Sequence, residues 1–586
     1  MRILLLAHAF NGLTQRLFLE LRARGHAVAV EFDIADAVTL EAVALFAPDV
    51  LIAPYLKRAI PEAVWRRLPC LIVHPGIVGD RGPSALDWAI AEGQPDWGVT
   101  VLQANGEFDA GDVYAEMRFP MRAATKSSLY RHEVTDAAVR AVLLALERLG
   151  RPGWPRPQPP VDPSARGRPR PAMRQAERRI DWATDDTAAA LTKLRAADGS
   201  PGVLDQLFGR PCFLFDAHPA SAATVARARA LAGRAGPGDV VARRDGAVLR
   251  LARDGALWIG QAKPAWPGAH EGQPYKLPVA ALFAAETRAL PELPAPLERP
   301  PDEWGELRYR ESDGVGTLEF DFYNGALSTA QCESLRAAVA YAKARPIRVL
   351  LLAGGRDFFA NGIHLNLIEA ADSPADESLR NIEAIDDVVL EILSATGLLT
   401  VSALRGGAGA GGAFLALAAD EIWAHAGVLL NLHYKNMGNL FGSEYWTYTL
   451  PRRVGAAVAA ALPEQRLPLS AAQALALGLL DAVFGADGEE FYALATARAR
   501  ALAADPALPE RLAAKAARRA ADEAVKSLAC YRAEELARMK LNFYGFDPSY
   551  HVARYHFVRK LPHAWTPRHL AIHRDTARGV GAQAAC

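Results

Sequence analysis

The sequence predicts a multidomain α/β protein, and three observations carry that expectation. At 586 residues the chain exceeds the roughly 250–300 residues at which single cores stop growing. Val- and Ile-rich runs alternate with helical patterns in its first and last parts, as in parallel sheets covered by helices. Two proline-rich stretches interrupt that pattern: RPGWPRPQPPVDPSARGRPRP at 151–171 and LPELPAPLERPPDEW at 290–304. Neither suits a helix or a central strand. They read as semi-rigid linkers separating segments 1–160, 175–290 and 304–586.

In the first segment RILLLAH, AVAVEFD, DVLIAPYL and CLIVHP are continuous apolar strands. The helical pattern TQRLFLELRARG ends in a Gly of C-cap type. DWGVTVLQ and GDVYAEMRFPM read as a closing strand pair. The second segment opens with a helix containing AALTKLRAADGSPG and continues as short strands, PCFLFDAH, GDVVARR, AVLRLAR and ALWIGQAKP. The turns RRDGA and ARDGA join them as in a small barrel. The third segment returns to alternation, with VGTLEFDFY and RVLLLAGG as strands and SLRNIEAIDDVVLEILSA as an amphipathic helix.

Composition narrows the function classes. The chain is 51% hydrophobic and 23% charged, ordinary for a soluble globular protein. Lys plus Arg and Asp plus Glu are 66 each, which gives no electrostatic case for a nucleic-acid or membrane partner. The opening MRILLLAHAF is too short for a signal peptide's apolar region, and no run approaches the ~20 apolar residues of a membrane helix. Five cysteines (Cys70, Cys212, Cys332, Cys530 and Cys586) are scattered without a CxxC. Neither a disulfide framework nor a zinc knuckle is suggested, and a reducing, cytoplasmic location is expected.

Two stretches carry candidate chemistry. His74 stands where CLIV ends, and ligands of open α/β sheets gather at the carboxyl ends of strands. Its position alone fits either a proton handler or a loop cap. Asp109, in EFDAGDVY at 107–114, offers a carboxylate partner for an imidazole that moves protons near neutral pH. Together, HPGIVGDRGPSALDWAI and FDAGDVY resemble the 10-formyltetrahydrofolate-dependent formyltransferases and hydrolases, whose first domain is Rossmann-like. RRIDW and LRAADGSPG are similar to the opening of the small OB-like β-barrel that follows in methionyl-tRNA formyltransferases. The resemblance spans about residues 1–285. It implies that His74 polarises the formyl oxygen and Asp109 relays protons. Ile72 departs from it, standing where the family has a catalytic Asn; losing one such donor costs roughly 10²–10³ in rate. Another donor replaces it, or the acceptor is a stronger nucleophile such as a thiol. Asn11 and Gln15 in HAFNGLTQR and Arg131 in KSSLYRHEV are softer ligand candidates, against solvated loop or helix residues. Cys70 is expected to be buried.

The second stretch pairs GGRDFFANGIHLNLIE at 354–369 with VSALRGGAGAGGAFLALAADEIWA at 401–424. A Gly-dense turn opening an Ala/Leu helix presents backbone N–H groups to a ligand or simply packs small residues tightly. The pair resembles the enoyl-CoA hydratase/isomerase (crotonase) family. That implies a CoA-thioester oxyanion hole from the N–H groups of Ile363, after Gly362, and of Gly411. The two hydratase glutamates fall on Phe414 and near Tyr434, so hydration is not expected. His433, Tyr434, Lys435 and Glu444 remain, with Tyr434 and Glu444 as acid and base or as loop packing. His364 is read as orienting its loop. His569 and His573 have i, i+4 spacing, but no metal site is expected from so short a motif without accompanying ligands; packing histidines are expected.

The whole-length order of segments, with Ile72 and GSEYWTYTLPRRVG in place of the usual catalytic residues, is similar to a family of [NiFe]-hydrogenase maturation factors. What that implies is carbon monoxide synthesis from 10-formyltetrahydrofolate and coenzyme A: formyl transfer to CoA, then decarbonylation of formyl-CoA, with maturation proteins as receivers of the gas. The rivals are a fused enzyme that releases formate and a non-catalytic module that senses folate and CoA.

Overall fold

A computed structural model describes residues 1–266, 268 and 272–575; Cys586 lies outside them. The chain divides into two units. One comprises Met1–Asp181, Ala188–Asp205 and the segment beginning at Leu561; the other comprises Trp182–Thr187 and Gln206–Lys560.

In the first unit β1 (Arg2–Ala7), β2 (Ala27–Phe32), β3 (Val50–Tyr55) and β4 (Cys70–His74) are parallel. The predicted closing pair, β5 (Asp96–Gln103) and β6 (Val113–Pro120), runs antiparallel. The order is β2-β1-β3-β4-β5-β6. Ile3, Leu4, Leu5 and Leu6 of β1 are all buried, which is why this sheet reads as unbroken apolar runs rather than alternation. The helix α1 (Gly12–Ala23) buries Leu13, Leu17, Phe18 and Leu21, and Asn11 caps it by accepting from Thr14 N at 3.0 Å. Strand order reverses between β1 and β3, so the ligand-receiving edge is the carboxyl end of the strands. His74 ends β4 on that edge.

The outer edge of β2 is covered from far along the chain. Val30 N donates to Leu570 O at 3.0 Å and Phe32 N to Thr566 Oγ1 at 2.9 Å. Glu31 is fully buried and accepts from Thr566 Oγ1, from Arg574 Nε at 2.8 Å and from His573 Nε2 at 2.9 Å. His573 is a packing histidine paired with a carboxylate. Burial opposes the Glu31 charge, but the His573, Thr566 and Arg574 contacts outweigh it and hold the carboxyl below its ordinary range. The sequence reading ran the third segment through these residues; they pack on the first unit because an open strand edge and a buried charge both need partners.

In the second unit the small barrel-like sheet is antiparallel: β7 (Arg210–Pro219), β8 (Val240–Arg244), β9 (Ala247–Leu251), β10 (Ala256–Pro264) and β11 (Leu277–Pro278). Asp245 and Gly246 have φ of +45° and +80°, the two left-handed residues of a tight hairpin that RRDGA foreshadows. A helix at Ala222–Ala232 was not foreseen; it buries only Thr224 and Ala228 and shows little apolar periodicity.

The remaining layer sets β12 (Leu307–Ser312), β13 (Val315–Phe320), β14 (Val349–Gly354), β16 (Leu399–Leu404), β18 (Glu421–Ala424) and β21 (Ala482–Val483) in one sheet. A second sheet holds β15 (Phe358–Ala360), β17 (Gly407–Gly409), β19 (Leu429–Asn431) and β20 (Leu469–Ser470). Helices α2 (Thr329–Lys343), α3 (Pro374–Leu393), α4 (Gly411–Leu417) and α5 (Leu528–Tyr544) pack around them. The α3 stripe of Ile382, Ile385, Val388, Val389 and Ile392 is buried as the sequence predicts, and Asp386 is buried with it. Among the described residues no helix is long and apolar enough to cross a membrane.

Candidate functional site

In the first unit the His74 ring is buried between two carboxylates. Nε2 lies 2.8 Å from Asp80 Oδ1 and Nδ1 lies 3.5 Å from Asp109 Oδ1. Gly76 makes this possible, because a Cβ there would overlap the imidazole and the Asp80 carboxylate. Asp109 sits at φ +54°, and its Oδ2 accepts from Gly82 N at 3.1 Å. Gln158 Nε2 donates to the Asp109 carbonyl at 3.0 Å. The Asp-x-Gly turn and the Arg-Gly loop are thereby joined beneath the imidazole. Burial pulls the imidazole toward neutrality, but the Asp80 hydrogen bond and the charges of Asp109 and Asp80 outweigh it, so His74 stays protonated above its usual range. An imidazolium here donates hydrogen bonds and gives up a proton. Asp80 Oδ2 is buried with no partner among the described residues.

Sequence reasoning missed Asp80. The available signal was a carboxylate six residues after His74 in a Gly-rich loop. Ile72, in β4, pairs with Ala53 and Leu102 and brings no side-chain donor. Asn11 and Gln15 follow β1 on the same sheet edge. Asn11 Oδ1 accepts from Thr14 N and from Thr14 Oγ1, at 3.0 and 2.9 Å, and Gln15 Nε2 donates to Phe10 O at 2.9 Å. Arg131 lies in the π-helical turn Tyr130–Val134. Tyr130 hydrogen-bonds Asn11, and burial raises its hydroxyl pKa. Cys70 is buried, which raises its thiol to about 12 and makes it a poor nucleophile.

The second site begins where β15 and β17 end. Gly362 has φ +81°, and a Cβ on it would stand 3.1 Å from Gly411 N, so conformation and space both require glycine. Ala410, at φ +47°, turns the chain into α4. The N–H groups of Ile363 and Gly411 have no acceptor among the described residues, as an oxyanion hole requires. His364 caps the next helix, Nδ1 accepting from Leu367 N at 3.2 Å, and burial lowers it to about 4. It is neutral and orients the loop.

Glu444 is fully buried at φ +62°, and its carboxylate packs directly on Gly411. Tyr434 donates its hydroxyl to Glu444 Oε2 at 2.5 Å, and Ser443 N donates to the same oxygen at 3.0 Å. Burial pushes the Glu444 carboxyl up to about 7, partly offset by these bonds. A base with that value works near neutral pH. Burial and the Glu444 charge push the Tyr434 hydroxyl far above its usual range, so it donates rather than ionises. Phe414 stacks on the Tyr434 ring at 5.3 Å and 15°. This stack supports the phenol. Lys435 pairs with Glu464 at 2.8 Å.

Known proteins resemble each part of the chain. Residues 31–146 match the formyl transferase family, 172–268 the formyl transferase C-terminal domain, and 311–566 the enoyl-CoA hydratase/isomerase family. The methionyl-tRNA formyltransferase of Delftia acidovorans is 29% identical over 197 residues, 33% of this chain and 57% of that protein. The chain therefore carries formyl transferase domains followed, in one polypeptide, by an enoyl-CoA hydratase/isomerase-like domain. The hydrogenase maturation factor HoxX of Bradyrhizobium diazoefficiens is 54% identical over 98% of this chain and 97% of its own. A crystal structure of HypX from Aquifex aeolicus in complex with tetrahydrofolic acid superposes with a TM-score of 0.92 at 46% identity, covering 99% of this chain and 100% of that one. The chain belongs to the HoxX/HypX family of hydrogenase maturation factors.

Proposed function

We propose that this maturation factor makes carbon monoxide from the formyl group of 10-formyltetrahydrofolate, with coenzyme A as acceptor and carrier, in the cytoplasm and for the proteins that build the hydrogenase active site. The observation that carries the reading is the Glu444–Tyr434 pair seated on Gly411, whose N–H, like that of Ile363, has no acceptor among the described residues. The unfilled acceptor on buried Asp80 fits a pterin or amide N–H at the first site.

At the first site His74 protonates the departing N10 while the CoA sulfur bonds to the formyl carbon and the C–N bond breaks. Asp109, exchanging with Asp80 through the imidazole, takes up the thiol proton. The strong thiol nucleophile makes up for the amide donor missing at Ile72. At the second site the Ile363 and Gly411 N–H groups hold the thioester oxygen. Glu444 removes the formyl proton, the C–H electron pair stays on carbon as the C–S bond breaks, and Tyr434 delivers a proton to the thiolate while Glu444 reprotonates it. Carbon monoxide and CoA leave, with no net change of oxidation state or proton count.

The test is a headspace assay of the purified full chain with 10-formyltetrahydrofolate, with and without CoA. Carbon monoxide appearing only with CoA supports the reading. Formate in its place, or no turnover, overturns it.

A further inference from the structure

Glu444 is held in place by a buried acidic cradle that the chemistry above does not use. Asp386 on α3 and Glu535 on α5 are both fully buried and meet at the Ser443 hydroxyl. Ser443 Oγ is 2.8 Å from Asp386 Oδ2 and 3.3 Å from Glu535 Oε2. A hydroxyl has one proton to give, so it cannot donate to both.

Counting the remaining donors places the missing proton. Glu535 already accepts from Tyr445 N at 2.9 Å, Thr447 N at 2.8 Å and Thr447 Oγ1 at 2.5 Å. Among the described residues, and with Ser443 set aside, Asp386 accepts only from Glu444 N, at 2.7 Å on Oδ1. Arg532 lies 2.6 Å from Asp387 but 3.8 Å from Asp386. We propose that Asp386 is a positioning residue held as the neutral acid, donating from Oδ2 to Ser443 Oγ, which donates in turn to an ionised Glu535. This chain fixes Ser443, Glu444 and Tyr445, and the last two carry φ of +62° and +56°, a conformation costly for residues with side chains. It therefore aims the Glu444 carboxylate at Gly411, and it spares Glu444 a second negative neighbour.

Of the groups facing Asp386, the acidic ones favour that state and the Arg532 cation, paired more closely with Asp387, opposes it. These groups are Glu444, Tyr434 and Tyr445 from the site loop, Glu535 and Arg532 from α5, Cys332 from α2 and Asp387 from its own helix. Burial, then the charges of Glu444 and Glu535, raise the Asp386 carboxyl well above its ordinary range. The functional part of the proposal rests on Glu444 being the base of the second step; the location of the proton does not.

Infrared spectroscopy of the full chain, with and without carboxyl-13C aspartate, is run at about pH 8.5, above the value of about 7 for Glu444 and Glu535. A protonated aspartic-acid carbonyl band that shifts with the label, vanishes in Asp386→Asn and survives in Glu535→Gln is expected. Absence of an aspartic band in the unaltered protein, or its survival in Asp386→Asn, overturns the proposal. In the gas assay from formyl-CoA, Asp386→Asn keeps the same hydrogen bonds. It is expected within about tenfold of the unaltered rate with its acid limb unmoved, whereas Asp386→Ala falls by roughly 10² or more. An acid limb moved down by about one pH unit or more in Asp386→Asn means an ionised Asp386 and overturns the proposal. If the unaltered protein releases no gas, the assignment of Glu444 fails while the infrared band still decides where the proton sits.

Discussion

The Glu444 carboxylate and the Gly411 α-carbon are in direct packing contact, so closely that a methyl group on Gly411 would occupy the space of Glu444 Oε1. The proposed base and the Gly411 N–H are therefore set against each other without an intervening side chain. Gly411→Ala displaces Glu444 while leaving the first site untouched. Carbon monoxide release from formyl-CoA is expected to fall by roughly 10² or more, with formyl-folate consumption within about twofold of the unaltered protein, measured by headspace gas and by folate absorbance.

Glu444→Gln is expected to keep formyl-CoA formation and to stop gas release, a loss on the order of 10³ or more in the second step. Unchanged gas output would remove Glu444 from the chemistry. Tyr434→Phe takes away a bond that lowers the Glu444 pKa. Its residual activity should show an acid limb moved to higher pH, read from the pH–rate profile.

Asp80→Asn removes the hydrogen bond and charge that keep His74 protonated against burial. The His74 pKa falls, so the alkaline limb of formyl transfer should move to lower pH and the plateau rate should drop by on the order of tenfold. A profile superimposable on the original would show that Asp80 does not set the His74 proton.

Glu444 also ties stability to pH. Its folded-state value of about 7 lies above the ordinary 4.5, so its contribution is fully present below about 4.5 and is lost as pH rises through about 7. The unfolding free energy of the unaltered protein should therefore decline more between about pH 5 and 8 than that of Glu444→Gln, by about 3 kcal/mol, read from denaturation curves at each pH. Parallel declines across that range would contradict it.

Glu31→Ala leaves Arg574 and His573 facing a buried gap. A loss of about 3–5 kcal/mol is expected, seen as a lower denaturation midpoint and as faster proteolysis beyond residue 560. Glu31→Gln should lie between the two.

The strands that carry both sites were legible in the sequence because an apolar run with flanking glycines is a local property. CLIVHP ends at His74, and GGAGAGGAFLAL enters a buried helix at Gly411, as read. The Glu444–Tyr434 bond joins residues ten apart in the chain, so that pair was within reach of local reading. Asp386 was not. It sits in the middle of a regular apolar stripe, and its partner Ser443 is 57 residues away. Asp80 lies in the Gly-rich loop after His74, but nothing in that loop says that the chain doubles back under the imidazole until Gly76 is seen to make room for it. The closure of β2 was equally hidden, since Thr566 and Glu31 are 535 residues apart.

That closure has a consequence for synthesis. During synthesis the first sheet emerges with the outer edge of β2 open, and the irregular segment whose Thr566 covers it follows Glu31 by 535 residues. Until then an unpaired edge with a buried-type carboxylate at its centre is offered to chaperones and to other unfinished chains. A product cut short just before residue 561 keeps every residue assigned to either site and still exposes that seam. Such a fragment is expected to be cleared or to aggregate rather than accumulate.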